Sequence, residues 1–448
     1  MKAAAARSSA RPVPARSGRR PAAPRDAAPP SAGEDGPATV ERVEIDRVGH
    51  RGDGIAETGS GPVYVPGTLP GEVVDVVRHG ERGQLAGLIV PSADRITPPC
   101  AHFGRCGGCA LQHWAQSPYR AFKREQLVAA LADRGLSPPV APAIACGPGM
   151  RRRVVLSAAR VDGAMRLGFH ARASHDILDI EECPVAVPAI VAGLPVLKRL
   201  AGLLIGKRDP VRLTVTASAG GLDVAAVSTR PVDARLRERL VGEVLALGLA
   251  RLAVGGEVIL APREAVVDID GVGVLPPPGG FLQAGVTAEK AMAAVVAEGV
   301  GDARRVLDLF AGIGTFSLRL ARTASVHAID GERGAIEALE AARRRAGDRN
   351  PVTAEVRDLF RRPMQVKEFA RYDAVVVDPP FAGARAQAEV LAGVKDVPRL
   401  VMVSCNPATL ARDLAVLVAG GWEVEKVVPV DQFLWSPHVE AVAVLRRA

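Results

Sequence analysis

The sequence predicts an α/β protein: a C-terminal domain built on a parallel sheet, preceded by a small N-terminal β-barrel and a central α+β region. Two observations carry this. From Arg305 onward, apolar runs of strand length alternate with helix-length stretches, as in a parallel sheet with helical crossovers. Between Val40 and Ser92, short strand-like runs are separated by Gly and Pro turns, the spacing of a small all-β barrel. A chain of 448 residues, 48% hydrophobic and 24% charged, is long enough for two or three cored domains. No apolar stretch reaches the length of a membrane helix and no secretory segment opens the chain, so the cytoplasm is the expected compartment and a membrane is not an expected partner.

Residues 1–39 read as a disordered basic tail, composed almost entirely of Ala, Pro, Arg, Ser and Gly, which cannot bury enough apolar surface to fold. From Met1 to Val40 seven basic residues face three acidic ones, a surplus of four and half of the net charge of +8. A solvated leader is the plain reading, an RNA-anchoring arm the sharper one, and an arginine-rich start also resembles a transit peptide. The overall charge favours a polyanionic partner such as nucleic acid.

Residues 40–93 supply the barrel, with strands expected at Val43–Ile45, Val63–Val65, Glu72–Val77 and Gly87–Val90. The stretches Gly49–Ala56 and Tyr64–Glu72 resemble a TRAM-type RNA-binding module. Next, Cys100, Cys106 and Cys109 form Cys-x5-Cys-Gly-Gly-Cys; six cysteines in a chain without secretory features argue for a metal rather than disulfides. Three thiolates leave one position open, which Cys183 or Cys146 could fill, and zinc or a 4Fe-4S cluster would each accept four thiolates.

The central region, residues 94–279, shows strands at Met150–Ser157 and Leu167–His170, a helix from Pro188 to Ile205, and a hairpin from Val211 to Val227. Arg151, Arg152 and Arg153 suit either phosphate contacts or a charged strand edge.

The third domain, residues 280–448, contains the strand and glycine turn Arg305–Phe316, with its helix running to about Ala321, and further strands at Ser325–Ile329, Glu355–Asp358 and Tyr372–Asp378. Asp330 closes the second strand, where a Rossmann-like site places the acid that takes the ribose hydroxyls. Asp308, Phe310, Gly312 and Gly314, followed by Asp330 and Asp358, resemble class I S-adenosylmethionine-dependent methyltransferases. A dinucleotide site would want glycine where Ser317 stands. The apolar run Arg399–Val403 closes on Ser404, Cys405, Asn406 and Pro407, placing Cys405 beside the positive end of a helix, where a thiolate is stabilised.

Taken in order, these pieces resemble the RNA 5-methyluridine (uracil-C5) methyltransferases, specifically the 23S ribosomal RNA type with a TRAM module and an iron–sulfur cluster. The segments Phe281–Gln283, Ser404–Asp413 and His438–Glu440 carry the likeness most specifically. The resemblance implies S-adenosylmethionine as methyl donor, held by Gln283, Asp308, Phe310, Gly312, Thr315, Asp330, Asp358 and Asp378. It favours a 4Fe-4S cluster on Cys100, Cys106, Cys109 and Cys183. It implies Cys405 as nucleophile on carbon 6 of a flipped uracil, Glu440 as the base that removes the carbon 5 hydrogen, and Asp378 holding the base. RNA, most specifically 23S ribosomal RNA, is the expected partner of a monomer, and DNA is not.

One position departs from the family. Phe381 follows Asp378-Pro379-Pro380 where the family carries arginine, and the next arginine is Arg385. The resulting Asp-Pro-Pro-Phe also fits methyltransferases acting on exocyclic amines of adenine or cytosine, which need no cysteine. A non-catalytic RNA-binding protein that keeps the fold is the third reading; it predicts a damaged cofactor site.

Overall fold

The computed structural model describes residues 40–206 and 209–447; the basic tail expected at 1–39 lies outside the described residues. Six strands form the first sheet: β1 (Val40–Glu44), β2 (Arg47–Val48), β3 (Asp53–Thr58), β4 (Gly61–Pro66), β5 (Val73–His79) and β6 (Arg82–Val90), in the order β1-β5-β6-β4-β3-β2. Their alternation turns Val43, Val63, Val65, Val74 and Val76 into one small core. Asp53 ties this module to the body through an ion pair with Arg172, and Glu72 accepts two bonds from Arg95, at 2.5 and 2.7 Å.

Helix α1 (Gln116–Ala132) precedes the second sheet, which comprises β7 (Arg153–Val161), β8 (Ala164–Gly168), β9 (Val211–Ser218), β10 (Gly221–Val227), β11 (Arg251–Val254) and β12 (Glu257–Leu260), ordered β12-β11-β10-β9-β7-β8. The helix expected over Pro188–Ile205 is two helices, α2 (Pro188–Ala192) and α3 (Leu194–Leu204), separated at Gly193. Together with α4 (Ala234–Ala246) they cover one face of this sheet through Leu197, Leu200, Leu204, Leu236 and Leu240. The small hairpin β13 (Val267–Ile269) and β14 (Val272–Val274) leads into the last domain.

That domain contains α5 (Val286–Val300), β15 (Arg305–Leu309), α6 (Ser317–Leu320), β16 (Ser325–Asp330), α7 (Arg333–Arg343), β17 (Val352–Val356), β18 (Ala374–Val377), α8 (Arg385–Gly393), β19 (Arg399–Ser404), α9 (Pro407–Ala419), β20 (Trp422–Val430) and β21 (Glu440–Arg447). Its seven strands run β17-β16-β15-β18-β19-β21-β20, with β15 to β19 parallel and β20 and β21 returning antiparallel. The central strands are apolar throughout because both faces are covered: Ala374 and Val376 enter one core, Val375 and Val377 the other. Two expectations shift here. The third strand ends at Val356, so Asp358 stands beyond it, and α6 is only one turn long.

Helix α1, read from the sequence as part of the central region, buries Leu127 and Leu131 against this sheet alongside α9. Segment 140–144 then bridges to β20 at Val427 and Val430. Among the described residues no helix is long and apolar enough to cross a membrane.

The three consecutive arginines are neither a charged edge nor an exposed phosphate contact. Arg152 is buried and pairs with Glu289 of α5, which is fully buried and also accepts from Arg319 of α6 at 2.6 Å. Arg153 donates to the carbonyls of Gly279 and Gly280, and Arg151 lies over the Phe433 ring at 5.7 Å. The Arg152–Glu289–Arg319 group therefore fastens the central sheet to the C-terminal one. Removing one member leaves buried charge without its counter-ion, so Glu289→Ala should lower the free energy of unfolding by about 3–5 kcal/mol, measured by chemical denaturation. A loss below about 1 kcal/mol would show that the group contributes no more than a surface pair.

Candidate active site

Parallel strands present their carboxyl ends to one edge of the sheet, and the order reverses between β15 and β18, where such sheets open a crevice. Asp308 lies on β15, fully buried, accepting from the Ser317 hydroxyl while its second oxygen has no partner among the described residues. Burial drives its carboxyl up to about 7. Phe310, just past the strand, holds φ +63°, a left-handed conformation costly for a bulky residue, and its ring meets Phe360 at 5.4 Å. Gly314 has φ +91°, and a Cβ there would stand 2.4 Å from Leu339 Cδ1; only glycine permits the turn to lie so close to α7. Thr315 is buried beside it. Asp330 Oδ2 accepts from the Gly312 N–H at 2.9 Å, and Asp358 Oδ1 accepts from the N–H groups of Phe360 and Arg361. The acids anticipated for a nucleoside ligand thus flank one glycine turn.

A second group adjoins it. Gln283 Nε2 donates to Asp378 Oδ2 at 3.3 Å, and Gln432 Nε2 donates both to Gln283 Oε1 at 2.9 Å and to Glu440 Oε1 at 3.0 Å. Glu440 opens β21 and is 5% exposed; burial pushes its carboxyl up to about 7 despite the Gln432 bond. Burial and the nearby Glu440 carboxylate raise Asp378 well above the usual range. Cys405 follows the end of β19, half-buried, and burial together with the charges of Glu440 and Asp378 pushes its thiol up to about 12.

That last value corrects the sequence expectation of a stabilised thiolate. Cys405 precedes the N-cap of α9, whose Asn406 side chain accepts from the Ala408 N–H, and burial, with Glu440 and Asp378 nearby, raises the thiol in spite of the helix end.

Sequence patterns did not reveal Gln432, which has no periodic or motif signature and acquires meaning only when β20 brings it beside Gln283. The same holds for the support of its loop. Tyr119 and Lys123, one turn apart on α1, meet Asp431 at 2.8 and 3.0 Å, and Lys123 also donates to the carbonyls of Phe433 and His438. Their i,i+4 spacing on a helix with a buried face was the available signal.

The cysteines lie behind this loop. Cys100, Cys106, Cys109 and Cys183 line one cavity of about 320 Å³ together with Arg151, Arg153, Leu434 and Ser436; Cys146 is not among its lining residues and sits in the core of the C-terminal domain. Burial raises the Cys100 and Cys106 thiols and takes Cys109 to about 12. Among the described residues no three His, Cys, Asp or Glu side chains converge as ligands of a single metal ion. The N–H groups of Ala110 and Leu111 donate to the Trp435 carbonyl, joining the cysteine segment to the loop that leads into Glu440.

Comparison with known proteins agrees with this geometry. The family model described as tRNA (uracil-5-)-methyltransferase matches residues 278–448, and the TRAM domain model matches residues 38–77. An RNA methyltransferase of Agrobacterium fabrum is 46% identical, covering 91% of this chain and all of its own. The 23S rRNA (uracil(1939)-C(5))-methyltransferase of Chromohalobacter salexigens is 37% identical over 92% of this chain and 90% of its own. Among solved structures, the Pyrococcus abyssi tRNA (uracil-54, C5)-methyltransferase in complex with S-adenosyl-L-homocysteine superposes with a TM-score of 0.71 at 25% identity, covering 90% of this chain and 99% of that one. These matches do not follow the amine-methylating reading of Asp378–Phe381. Fold, site and relatives converge: the chain belongs to the RNA (uracil-5-)-methyltransferase family.

Proposed function

We propose that this enzyme methylates carbon 5 of a uridine in 23S ribosomal RNA from S-adenosylmethionine, in the cytoplasm, through a covalent bond between Cys405 and carbon 6. The observation that carries the chemistry is the meeting of Cys405, Glu440 and Asp378 at one end of the sheet, with Gln432 bonded to both Gln283 and Glu440. The relative from Chromohalobacter, which matches along nearly its whole length, supports the choice of RNA.

The residues present suit S-adenosylmethionine. Asp330 and Asp358 lie where a ribose and an adenine would reach the ends of β16 and β17, Phe310 and Phe360 offer ring faces, and Asp308 keeps one buried oxygen without a partner among the described residues. When bound, the donor supplies a methyl group made electrophilic by its sulfonium. Gln283, Thr315 and Gly312 complete the binding turn.

Carbon 5 of uracil is a weak nucleophile. Once the Cys405 thiol has lost its proton to solvent, its sulfur adds to carbon 6; the 5,6 double bond breaks and its electron pair goes to carbon 5, which bonds to the methyl carbon as that carbon's bond to the sulfonium sulfur breaks. Carbon 5 now carries both hydrogen and methyl. Glu440 takes that proton, the double bond re-forms, and sulfur leaves carbon 6. Asp378, whose carboxyl is raised by burial and by the nearby Glu440, would hydrogen-bond a polar edge of the base. The target must leave its stack to reach this depth.

The cysteine cavity fits a 4Fe-4S cluster better than a zinc ion. The four cysteines line one cavity, no three of them grouped as ligands of a single ion among the described residues, and Arg151 brings positive charge to Cys109 and Cys183. Cys100, Cys106, Cys109 and Cys183 would hold the cluster. Methyl transfer needs no external electron carrier, so a cluster there would brace the cysteine segment that anchors Trp435.

Three outcomes are expected. Wild-type protein incubated with 5-fluorouridine RNA and S-adenosylmethionine should form a complex stable to denaturing electrophoresis; Cys405→Ala should abolish both complex and turnover, and retained turnover would exclude the covalent route. Because Glu440 must be ionised to accept a proton, product release from the adduct should accelerate as pH rises through about 7. Glu440→Gln should accumulate adduct on ordinary RNA, and a release rate flat from about pH 6 to about pH 8 would remove Glu440 as the base. Anaerobically purified protein should be brown and contain iron and sulfide; Cys183→Ala should lose both while Cys146→Ala keeps them, and a colourless zinc protein would overturn the cluster.

A further inference from the structure

Phe381 remains unexplained by this chemistry, and its surroundings are built. The chain turns sharply over 380–383, with the Gly383 N–H donating to the Pro380 carbonyl at 2.8 Å. Gly383 has φ +76°, and a Cβ there would lie 2.5 Å from Arg412 Nη2 and 2.7 Å from Asp413 Oδ2. Helix α9 holds the turn along its length. Asn406 Nδ2 and Thr409 Oγ1 donate to the Phe381 carbonyl at 3.3 and 3.4 Å, Arg412 Nη2 donates to the Ala382 carbonyl at 3.1 Å, and Asp413 Oδ2 accepts from the Ala384 N–H at 2.7 Å. The backbone is fixed, yet the phenyl ring is 61% exposed and belongs to none of the hydrophobic cores.

Fixing a turn so that it presents an aromatic ring to water forgoes the stabilisation burial would give. The ring's position says what could cover it. Asn406, which holds its carbonyl, directly follows Cys405, and Asp378 lies three residues before it. An RNA that delivers a flipped uridine here leaves the adjoining bases without one stacking neighbour, and an exposed aromatic face is a sequence-tolerant replacement. Glu440 is buried and Cys405 half-buried, whereas the ring stands at the rim; it meets a nucleotide beside the target, not the target.

We propose that Phe381 is the stacking platform for the unpaired nucleotide adjoining the target uridine, occupying the place where the family carries arginine. It is a positioning residue for RNA, and the proposal rests on the uracil-methylating activity described above. Steady-state methylation of 23S ribosomal RNA from cells lacking the protein tests it with Phe381→Ala, Phe381→Leu and Phe381→Trp. One lost base stack should raise KM for RNA by roughly 5- to 150-fold in the alanine variant, with the loss falling on KM rather than kcat. The leucine variant should stay impaired, tryptophan should restore wild-type KM, and KM for S-adenosylmethionine and the melting temperature should not move. An alanine variant with wild-type KM for RNA, or leucine restoring KM as well as tryptophan, would overturn stacking. Failure of the wild type to form 5-methyluridine would instead overturn the activity beneath it.

Discussion

The bonds of Gln432 to Glu440 and to Gln283, and of Gln283 to Asp378, are the constraint around which the active site is arranged. They join the ends of three segments distant in sequence: the stretch before α5, the end of β18, and the β20–β21 connection. Buried carboxylates cost several kcal/mol unless hydrogen-bonded. Here amide donors meet part of that cost, and the rest appears as raised carboxyl pKa values, about 7 for Glu440 and well above the usual range for Asp378. A group poised near pH 7 can take and return a proton under working conditions, which a freely solvated glutamate cannot do as readily.

The surrounding architecture keeps those amides in place. Gln432 is positioned by its neighbour Asp431, which is locked by Tyr119 and Lys123 from α1. The following turn, with Trp435 at φ +58°, is held by the Tyr119 hydroxyl and by the N–H groups of Ala110 and Leu111. Helix α1, which lies within the stretch assigned to the central region, is therefore part of the support of the C-terminal domain. The cysteine cavity continues the same bracing: its lining includes Leu434 and Ser436 of that turn.

Burial and the two neighbouring acids raise the Cys405 thiol, so the sulfur must give up its proton before it can add to carbon 6. A strongly stabilised thiolate would gain little by bonding to carbon 6, whereas a basic sulfur bonds well and needs an accompanying base. The site thus divides its tasks by environment. Burial sets the acids, and the N-cap Asn406 commits its side chain to the helix and to the Phe381 turn.

The sequence alone determined the parallel sheet, the barrel and most of the chemistry, because these depend on local signals: strand-length apolar runs, the glycine turn after Asp308, three cysteines within ten residues, and the Cys405 and Glu440 segments. Tertiary structure decided what depends on who meets whom. It selected Cys183 over Cys146 as the fourth wall of the cavity, turned Arg152 from a surface charge into a buried partner of Glu289, moved α1 onto the catalytic sheet, and revealed Gln432. Spacing cannot report burial or a contact across about a hundred and fifty residues. A pKa depends on both, which is why the Cys405 thiol could be located from its motif but its protonation could be read only from the carboxylates folded around it.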